Sequence, residues 1–163
     1  MSFTTTFKCN FFPIVLGFSI DDNDSTYLAY GYPYTYTECY TFLNKLCKHT
    51  PKSILKRSTL CKSLAGNDLD LLLITNFDSS EDEIASRKAV ILTARVHPGE
   101  TNSSFIMHGL LEYLVSSNDK HARSLRNTYV FKVVPMLNPD GVIIGNYRCN
   151  LSGLDLNRQY TNP

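Results

Sequence analysis

Two nearly continuous apolar runs frame an amphipathic segment in the second half of the chain. Residues 88–96 and 128–136 are apolar at most positions, which is typical of strands that are covered on both faces of a sheet. Residues 101–115 instead carry their apolar side chains on one stripe at helical spacing, which predicts a helix. Strand, helix and strand in this order predict a βαβ unit, and therefore an α/β fold with parallel strands.

The first half of the chain changes its hydrophobic period more often. Residues 37–48 repeat apolar positions at helical spacing and predict another helix. Residues 58–64 and 68–75 predict two strands, because a Gly-Asn turn signal separates them. The tyrosine-rich residues 27–36 predict a hairpin, and the aromatic residues 11–18 before them are also typical of β-structure.

Composition limits the class of protein. The 163 residues are 43% hydrophobic and 19% charged, which is typical of one globular domain or of parts of two. A net charge of +1 creates no broad field for nucleic acid or an anionic membrane surface, and we expect neither as a partner. The longest apolar runs are too short to span a bilayer. The five cysteines show no CxxC spacing and indicate reduced thiols, which favours a cytosolic (cytoplasmic) protein.

The end of the first apolar run carries two side chains that can bind a metal. His97 and Glu100 flank a Pro-Gly turn, so an imidazole and a carboxylate can face one point. Zinc accepts this pair of ligands readily. In open α/β sheets, sites form beyond the carboxyl ends of strands, which is where this turn falls. A surface turn with an incidental histidine explains the same residues.

Further candidate residues follow the second apolar run. Residues 138–141, Asn-Pro-Asp-Gly, are a strong turn signal. Arg148 and Arg158 come after this turn, with Asn157 beside the second arginine. The planar guanidinium group matches a carboxylate, so the two arginines indicate an anionic ligand. Ordinary surface arginines would give the same pattern.

A catalytic zinc site usually needs a third protein ligand. His108 and His121 are the histidines that follow Glu100. His108 lies inside the predicted helix at 101–115, where it is expected to flank the core. His121 lies in a polar stretch and is expected to be exposed. Neither is predicted to be the third ligand.

Four stretches of the chain match one known pattern in order: residues 60–67, 94–104, 138–142 and 145–159. Together they resemble the zinc metallocarboxypeptidases, and in particular the cytosolic carboxypeptidase subgroup, over nearly the whole chain. The resemblance implies an α/β fold that contains the N-terminal part of a carboxypeptidase-like mixed sheet with flanking helices. It also implies that the end of a small β-sandwich domain occupies residues 1–36. An incomplete catalytic domain would then occupy residues 37–163.

The family pattern implies a role for each matching site residue. His97 and Glu100 would be two zinc ligands. Arg148 would polarise the scissile carbonyl and stabilise the developing oxyanion. Asn157 and Arg158 would grip the terminal carboxylate of the substrate. The implied cofactor is Zn²⁺, and the implied partners are peptide or protein C-terminal tails, among them glutamylated tubulin.

The family's third zinc ligand and its general-base glutamate lie downstream of these motifs. We therefore expect the 163-residue chain by itself to hydrolyse little or nothing. Two other functions stay open. The chain could be a non-catalytic module that binds acidic C-terminal tails through Arg148 and Arg158, or a zinc amidohydrolase that acts on acylated amino acids. The His-Pro-Gly-Glu motif followed by Asn-Pro-Asp-Gly favours the peptidase.

Overall fold

The structure is a computed structural model in which the chain divides into two compact units, Met1–Tyr30 and Gly31–Pro163. It describes four stretches of the chain, the first two by their backbone: Ser2–Lys8, Pro13–Ser19, residue 29 and residues 31–161. The domain boundary after residue 36 and the β-sandwich before it stay predictions.

The described part of the first unit is an antiparallel pair of strands. Strands β1 (Ser2–Lys8) and β2 (Pro13–Ser19) pair in a register that places Phe3 opposite Phe18. Strand β2 overlaps the β-structure predicted for residues 11–18.

The second unit alternates helices with strands. In chain order its elements are α1 (Tyr36–His49), β3 (Leu55–Lys62), β4 (Asp68–Ile74), α2 (Glu81–Ser86), β5 (Lys88–Thr93), α3 (Asn102–Val115), α4 (Lys120–Thr128), β6 (Tyr129–Val134), α5 (Pro139–Ile144) and a 3-10 turn at Leu156–Arg158. The predicted helices at 37–48 and 101–115 are confirmed, and so are the predicted strands at 68–75 and 128–136, with ends that differ by a few residues. Within the described residues, no helix is long and apolar enough to cross a membrane.

The hairpin predicted at 27–36 is wrong for the residues that the structure describes there. Residues 31–35 form no strand, and α1 begins at Tyr36. The Thr35 hydroxyl accepts a hydrogen bond from the Glu38 N–H at 3.1 Å, and the Glu38 carboxylate accepts one from the Thr35 N–H in return. This capping box starts a helix, and it outweighs the strand-like alternation of the tyrosines before it.

The strands of the second unit form one mixed sheet in the order β3-β4-β6-β5. The pairs β3–β4 and β4–β6 are antiparallel, whereas β5 and β6 are parallel neighbours. Because α3 and α4 connect β5 to β6, the predicted βαβ unit is confirmed. The mixed sheet with flanking helices is the α/β architecture that the resemblance implied.

The core lies on one face of this sheet. The register places Leu72, Val133 and Leu92 side by side, and the first two are fully buried. The same buried cluster includes Leu43 from α1 and Leu111 from α3. Burial of these apolar side chains anchors the two helices on the sheet.

The other face of β5 is open in the described part of the chain. Ile91 lies opposite Lys132 on that face and is 71% exposed. The prediction that residues 88–96 are covered on both faces is therefore wrong. An apolar run has the same pattern whether one helical layer or two cover it, and α1 and α3 pack on the face that carries Leu92.

The loops that follow β5 and β6 run side by side. The Ala94 N–H donates to the Val134 carbonyl at 3.1 Å, and the Asn138 N–H donates to the Arg95 carbonyl at 3.3 Å. The two parallel strands therefore end at the same edge of the sheet. Their loops bring the turn at residues 97–100 beside the start of α5, as expected for a site in an α/β sheet.

Candidate active site

The turn at residues 97–100, which we call the metal-ligand turn, brings His97 and Glu100 together. The Glu100 N–H donates to the His97 carbonyl at 3.2 Å and closes the turn. His97 Nδ1 then lies 3.2 Å from Glu100 Oε2. His97 is buried, whereas 46% of the Glu100 side chain is exposed. The turn thus pairs a fixed imidazole with a carboxylate that solvent can reach.

Asp155 joins His97 to Arg148. Its Oδ1 atom lies 3.0 Å from His97 Nε2, and its Oδ2 atom accepts a hydrogen bond from Arg148 Nε at 2.7 Å. Arg148 Nη1 is also 3.7 Å from Glu100 Oε1. The four side chains therefore form a closed network in which both carboxylates face both His97 and Arg148.

Sequence reasoning misses Asp155. A signal for it exists, because a histidine that binds a metal usually donates its other ring N–H to a carboxylate, and Asp155 stands two positions before Asn157 in a matching stretch. Partial desolvation disfavours the Asp155 carboxylate. Hydrogen bonds from His97, Arg148 and the Asn157 N–H outweigh it and lower the pKa of Asp155 to about 2. Asp155 is therefore charged near neutral pH.

The arrangement fits a divalent metal ion such as zinc. When the Nε2–H of His97 bonds to Asp155, the Nδ1 lone pair faces the Glu100 carboxylate, and a cation or proton between them removes the repulsion. Imidazole nitrogen and carboxylate oxygen are both zinc ligands. Among the described residues, no three His, Cys, Asp or Glu side chains form a group that could hold a metal. Within this part of the chain, His97 and Glu100 are therefore the two candidate ligands that lie together.

Asn138 holds three segments around the network. Its Oδ1 atom accepts a hydrogen bond from the Gly141 N–H at 3.0 Å and caps α5. Its Nδ2 group donates to the carbonyls of Val96 and Cys149, both at 3.3 Å. Sequence reasoning assigns Asn138 to a turn, whereas the structure places it, almost fully buried, between the metal-ligand turn and the loop that carries Arg148.

Two glycines let these segments approach one another. A Cβ atom at Gly141 would lie 2.5 Å from Pro98 Cγ and 2.8 Å from the Cys149 carbonyl oxygen. A Cβ atom at Gly99 would lie 2.9 Å from the Tyr147 carbonyl oxygen, which accepts a hydrogen bond from the Gly99 N–H at 2.8 Å. Neither position has room for a side chain, so close backbone packing builds this part of the site.

The residues predicted to hold a substrate carboxylate are exposed. The Asn157 N–H donates to Asp155 Oδ1 at 3.0 Å, which links the 3-10 turn to the network. Arg158 Nη1 donates to the Asn157 carbonyl at 3.1 Å, and its guanidinium forms no ion pair with any described residue. The structure brings the two predicted ligands and Arg148 into contact, whereas the Arg158 side chain lies outside that network.

The two histidines that follow Glu100 in the chain lie where they were predicted. The His108 ring stacks on Phe42 with centroids 3.5 Å apart, and its Nδ1 atom is 3.3 Å from the Tyr34 hydroxyl. His108 is therefore a flank of the core. The His121 side chain is 74% exposed and lies 3.9 Å from Asp119. Neither histidine joins the metal-ligand turn.

The fold is that of a metallocarboxypeptidase. A metallo-carboxypeptidase from Burkholderia cenocepacia matches 80% of this chain with a TM-score of 0.71 and 31% identity, and the match covers 34% of that protein. The family model described as zinc carboxypeptidase matches residues 39–163. The chain therefore belongs to the zinc carboxypeptidase family, whose members are hydrolases.

Related proteins place the chain within this family. It is 53% identical over 140 residues to cytosolic carboxypeptidase 2 of Mus musculus, a match that covers 85% of this chain and 16% of that protein. It is 48% identical over 169 residues to cytosolic carboxypeptidase 1 of Danio rerio, a match that covers 100% of this chain and 14% of that protein. The resemblance to cytosolic carboxypeptidases is confirmed, and the chain spans a small part of their length.

Proposed function

We propose that this chain carries two zinc ligands and the substrate-orienting residues of a zinc-dependent metallocarboxypeptidase, which removes C-terminal amino acids from peptides or proteins. The supporting observation is the His97–Glu100 pair, 3.2 Å apart, with Asp155 on the other ring nitrogen. Membership of the zinc carboxypeptidase family supports zinc as the metal. Because the chain spans 16% of its mouse relative, the activity of the whole protein is part of this proposal.

Each residue of the network has a part in this chemistry. His97 and Glu100 would hold the zinc ion, and Asp155 keeps His97 in the tautomer that ligation needs. When zinc is bound, it supplies Lewis acidity, which polarises a carbonyl and lowers the pKa of water to about 7. Arg148, held by Asp155 at 2.7 Å and 40% exposed, can donate to the oxygen on which negative charge develops.

Asn157 and Arg158 are proposed to hold the terminal carboxylate of the substrate. The exposed guanidinium of Arg158 offers a planar fork that matches a carboxylate, and a fixed chain end limits cleavage to the last residue. We propose glutamate as that residue, on tubulin or other acidic tails. A cytosolic location is supported by the names of the relatives, and nucleic acid and membranes are not proposed as partners.

A zinc titration of the purified chain tests the metal site. We expect Zn²⁺ to shift the NMR signals of the His97 ring and to leave those of exposed His121 unchanged, so His121 serves as an internal control. The His97→Ala variant should lose the binding. Zinc that binds the variant as tightly as the original chain, or that shifts His121 alone, contradicts the proposal.

Hydrolysis needs more than the described residues supply. Two ligands hold zinc weakly, and no described residue forms a third with them. We therefore expect little or no release of glutamate when the 163-residue chain is incubated with zinc and glutamate-ended peptides. Clear turnover that a chelator abolishes would show that this two-ligand account is wrong.

A second candidate function is a non-catalytic module that binds acidic C-terminal tails. The exposed Arg158 guanidinium, which has no ion-pair partner among the described residues, favours it. This function predicts that a glutamate-ended peptide binds without zinc and that Arg158→Ala abolishes the binding. Binding that disappears on addition of EDTA favours the zinc site instead, and no binding at all removes the module from consideration.

A further inference from the structure

Two arginines are buried in the described part of the chain, and neither forms an ion pair there. Arg126 has a structural explanation, because its Nη1 group donates to the carbonyls of Leu114 at 2.6 Å and Ser116 at 3.0 Å. These carbonyls lie at the end of α3, where backbone acceptors lack partners within the helix. The second buried arginine, Arg95, stands instead two residues before His97, between β5 and the metal-ligand turn.

Arg95 binds the metal-ligand turn with both its side chain and its backbone. Its Nε group donates to the Pro98 carbonyl and its Nη1 group donates to Ser104 Oγ, both at 2.9 Å. Its backbone N–H donates to Ser103 Oγ at 3.2 Å, and the Ser103 hydroxyl donates to the Glu100 carbonyl at 2.9 Å. Two carbonyls of the turn are thus held, one directly by Arg95 and one through Ser103.

The conformation of Arg95 is unfavourable by itself. Its φ angle is 55°, and it is the one described non-glycine residue with a positive φ. This left-handed region is costly for a residue with a Cβ atom. Burial also penalises the charge of Arg95, which is 4% exposed and has no carboxylate partner among the described residues. Such costs persist where the surrounding structure enforces them, often at functional sites.

Both costs fall on the residue that leads into the metal-ligand turn. The backbone of Arg95 is left-handed, and its side chain donates to the carbonyl of Pro98, three positions later in the chain. The guanidinium then fixes the peptide that separates the two ligands. Arg126 also donates to two acceptors, both of them carbonyls, and does so without a positive φ, so the fold can bury an arginine at lower cost elsewhere.

We propose that Arg95 is a positioning residue for the metal site, which holds His97 and Glu100 in the spacing and direction that one metal ion requires. The inference rests on the proposed zinc function. Arg95 touches neither the metal position nor a substrate, because its guanidinium donates to Pro98 and Ser104. Loss of the Arg95 side chain removes neither His97 nor Glu100, but it lets the turn between them vary, so their spacing is no longer fixed.

Two substitutions of Arg95 separate its backbone from its side chain. Arg95→Gly adopts the positive φ without steric cost and removes the guanidinium. Arg95→Lys keeps the charge and the Cβ atom but cannot donate in two fixed directions. Arg126→Lys is the matched control, since it makes the same change in the other buried arginine, away from the metal-ligand turn.

The experiment titrates Zn²⁺ into each 163-residue chain and follows the His97 ring by NMR, and it also measures hydrogen exchange of the Glu100 amide without metal. We expect both Arg95 variants to bind Zn²⁺ about 10- to 100-fold more weakly, as for other residues that orient metal ligands. The Glu100 amide should exchange faster in both. Arg126→Lys should lower the resistance to urea and leave the zinc affinity and the Glu100 exchange unchanged.

The outcomes distinguish this inference from the zinc proposal. If the original chain binds Zn²⁺ at His97 and the Arg95 variants bind it equally well, the positioning role is overturned and the zinc proposal stands. If the original chain does not bind Zn²⁺, the zinc proposal fails, and the metal-free exchange of Glu100 decides whether Arg95 holds the turn. If the Arg95 and Arg126 variants weaken zinc affinity equally, Arg95 acts through general stability, and the positioning role is overturned.

A milder variant covers the case in which the Arg95 variants fail to fold. Ser104 is 3% exposed, and its Oγ atom accepts the Arg95 Nη1 hydrogen bond. Ser104→Ala removes this acceptor with little change in volume. We expect a weaker zinc affinity and faster Glu100 exchange, both smaller in size than for Arg95→Gly. An unchanged affinity together with unchanged exchange overturns the inference.

Discussion

The metal-ligand turn and the 3-10 turn at Leu156–Arg158 differ sharply in how the fold holds them. In the first, His97 is buried, and Arg95, Asn138 and Gly99 fix the backbone around it with hydrogen bonds. In the second, Asn157 and Arg158 are exposed, and the Arg158 guanidinium donates to a neighbouring carbonyl. One half of the proposed site is therefore ordered before any ligand arrives, whereas the other half has donors that are open to solvent.

This difference indicates where each half obtains its geometry. A metal ion tolerates small errors in ligand direction poorly, and a rigid turn suits it. A flexible chain end can instead be captured by an exposed arginine that adjusts on binding. Substitutions at the metal-ligand turn should therefore change stability and metal binding together. Substitutions at Arg158 should change peptide binding and leave the fold intact.

The largest effect is expected from Gly141→Ala. The new methyl group would meet Pro98 and the Cys149 carbonyl, so the metal-ligand turn and the loop with Arg148 must move apart. Overpacking of this kind typically costs about 1–3 kcal/mol, and we expect a value near the upper end because one of the contacts is backbone. Urea unfolding gives the loss of stability, and zinc titration should show weaker binding.

Gly109→Ala is the control for this substitution. Gly109 lies inside α3, and a Cβ atom there would have no neighbour within 4 Å. The same change of glycine to alanine should therefore stabilise the chain by about 0.5–1 kcal/mol, because alanine favours a helix. Equal destabilisation by both variants would mean that crowding at Gly141 is not the cause.

A smaller loss of stability is expected from Asn138→Asp. Aspartate keeps the oxygen that caps α5, since both residues are good N-caps. It loses the Nδ2 donor and places negative charge beside the carbonyls of Val96 and Cys149. We expect a loss of about 2 kcal/mol, because the Val96 carbonyl loses its donor and the new charge repels both carbonyls, whereas the Cys149 carbonyl keeps the Asn146 Nδ2 donor at 3.1 Å. Unchanged stability in urea would show that Asn138 stabilises the fold through its cap of α5 alone.

Much of the fold could be predicted from the sequence because periodicity reflects local structure. The helix at Asn102–Val115 and the parallel pair β5–β6 follow from apolar spacing and element order. The open face of β5 could not be predicted, since Ile91 has the same character whether it is covered or exposed. The hairpin prediction failed for the described residues 31–35, because the capping box of Thr35 with Glu38 starts a helix at Tyr36.

In the candidate site too, some residues could be predicted from the sequence and others could not. The contact between His97 and Glu100 could be predicted because both candidate ligands lie within one short motif. Asp155 is 58 residues from His97 in sequence, and its contact exists only when the sheet is formed. Arg95 looks like an ordinary polar residue after a strand, and its positive φ is visible only in the backbone. Residues that orient other residues therefore escape a sequence-based search more readily than ligands do.

Asp155 contacts both the metal-ligand turn and the 3-10 turn, and the Asp155→Asn variant should change how stability depends on pH. The pKa of Asp155 is about 2 in the folded chain, below the value near 3.9 of an unfolded chain. Its charge therefore stabilises the fold fully above pH ~4, and this contribution is lost as the pH falls toward 2. We expect the difference in urea stability between the two chains to shrink as the pH falls from 4 to about 2.

A control for Asp155 is available on α4. Asp119 also has a lowered pKa, mainly because it accepts hydrogen bonds from the Ala122 and His121 amides. Asp119→Asn should reproduce part of the pH dependence. It should leave zinc affinity unchanged, whereas Asp155→Asn should weaken zinc binding about 10- to 100-fold. Equal zinc affinity of the two variants would separate Asp155 from the metal site.

The smallest effect on stability is expected from Arg158→Ala. The side chain is exposed and donates a hydrogen bond to the neighbouring carbonyl of Asn157, so the free energy of unfolding should change by less than about 0.5 kcal/mol. Binding of a glutamate-ended peptide should nevertheless fall at least about tenfold, since a charge-assisted pair with the carboxylate is lost. The same peptide with a C-terminal amide should bind both chains equally weakly. If Arg158→Ala instead lowers stability as much as Asn138→Asp does, the 3-10 turn is as firmly built as the metal-ligand turn and the contrast between them disappears.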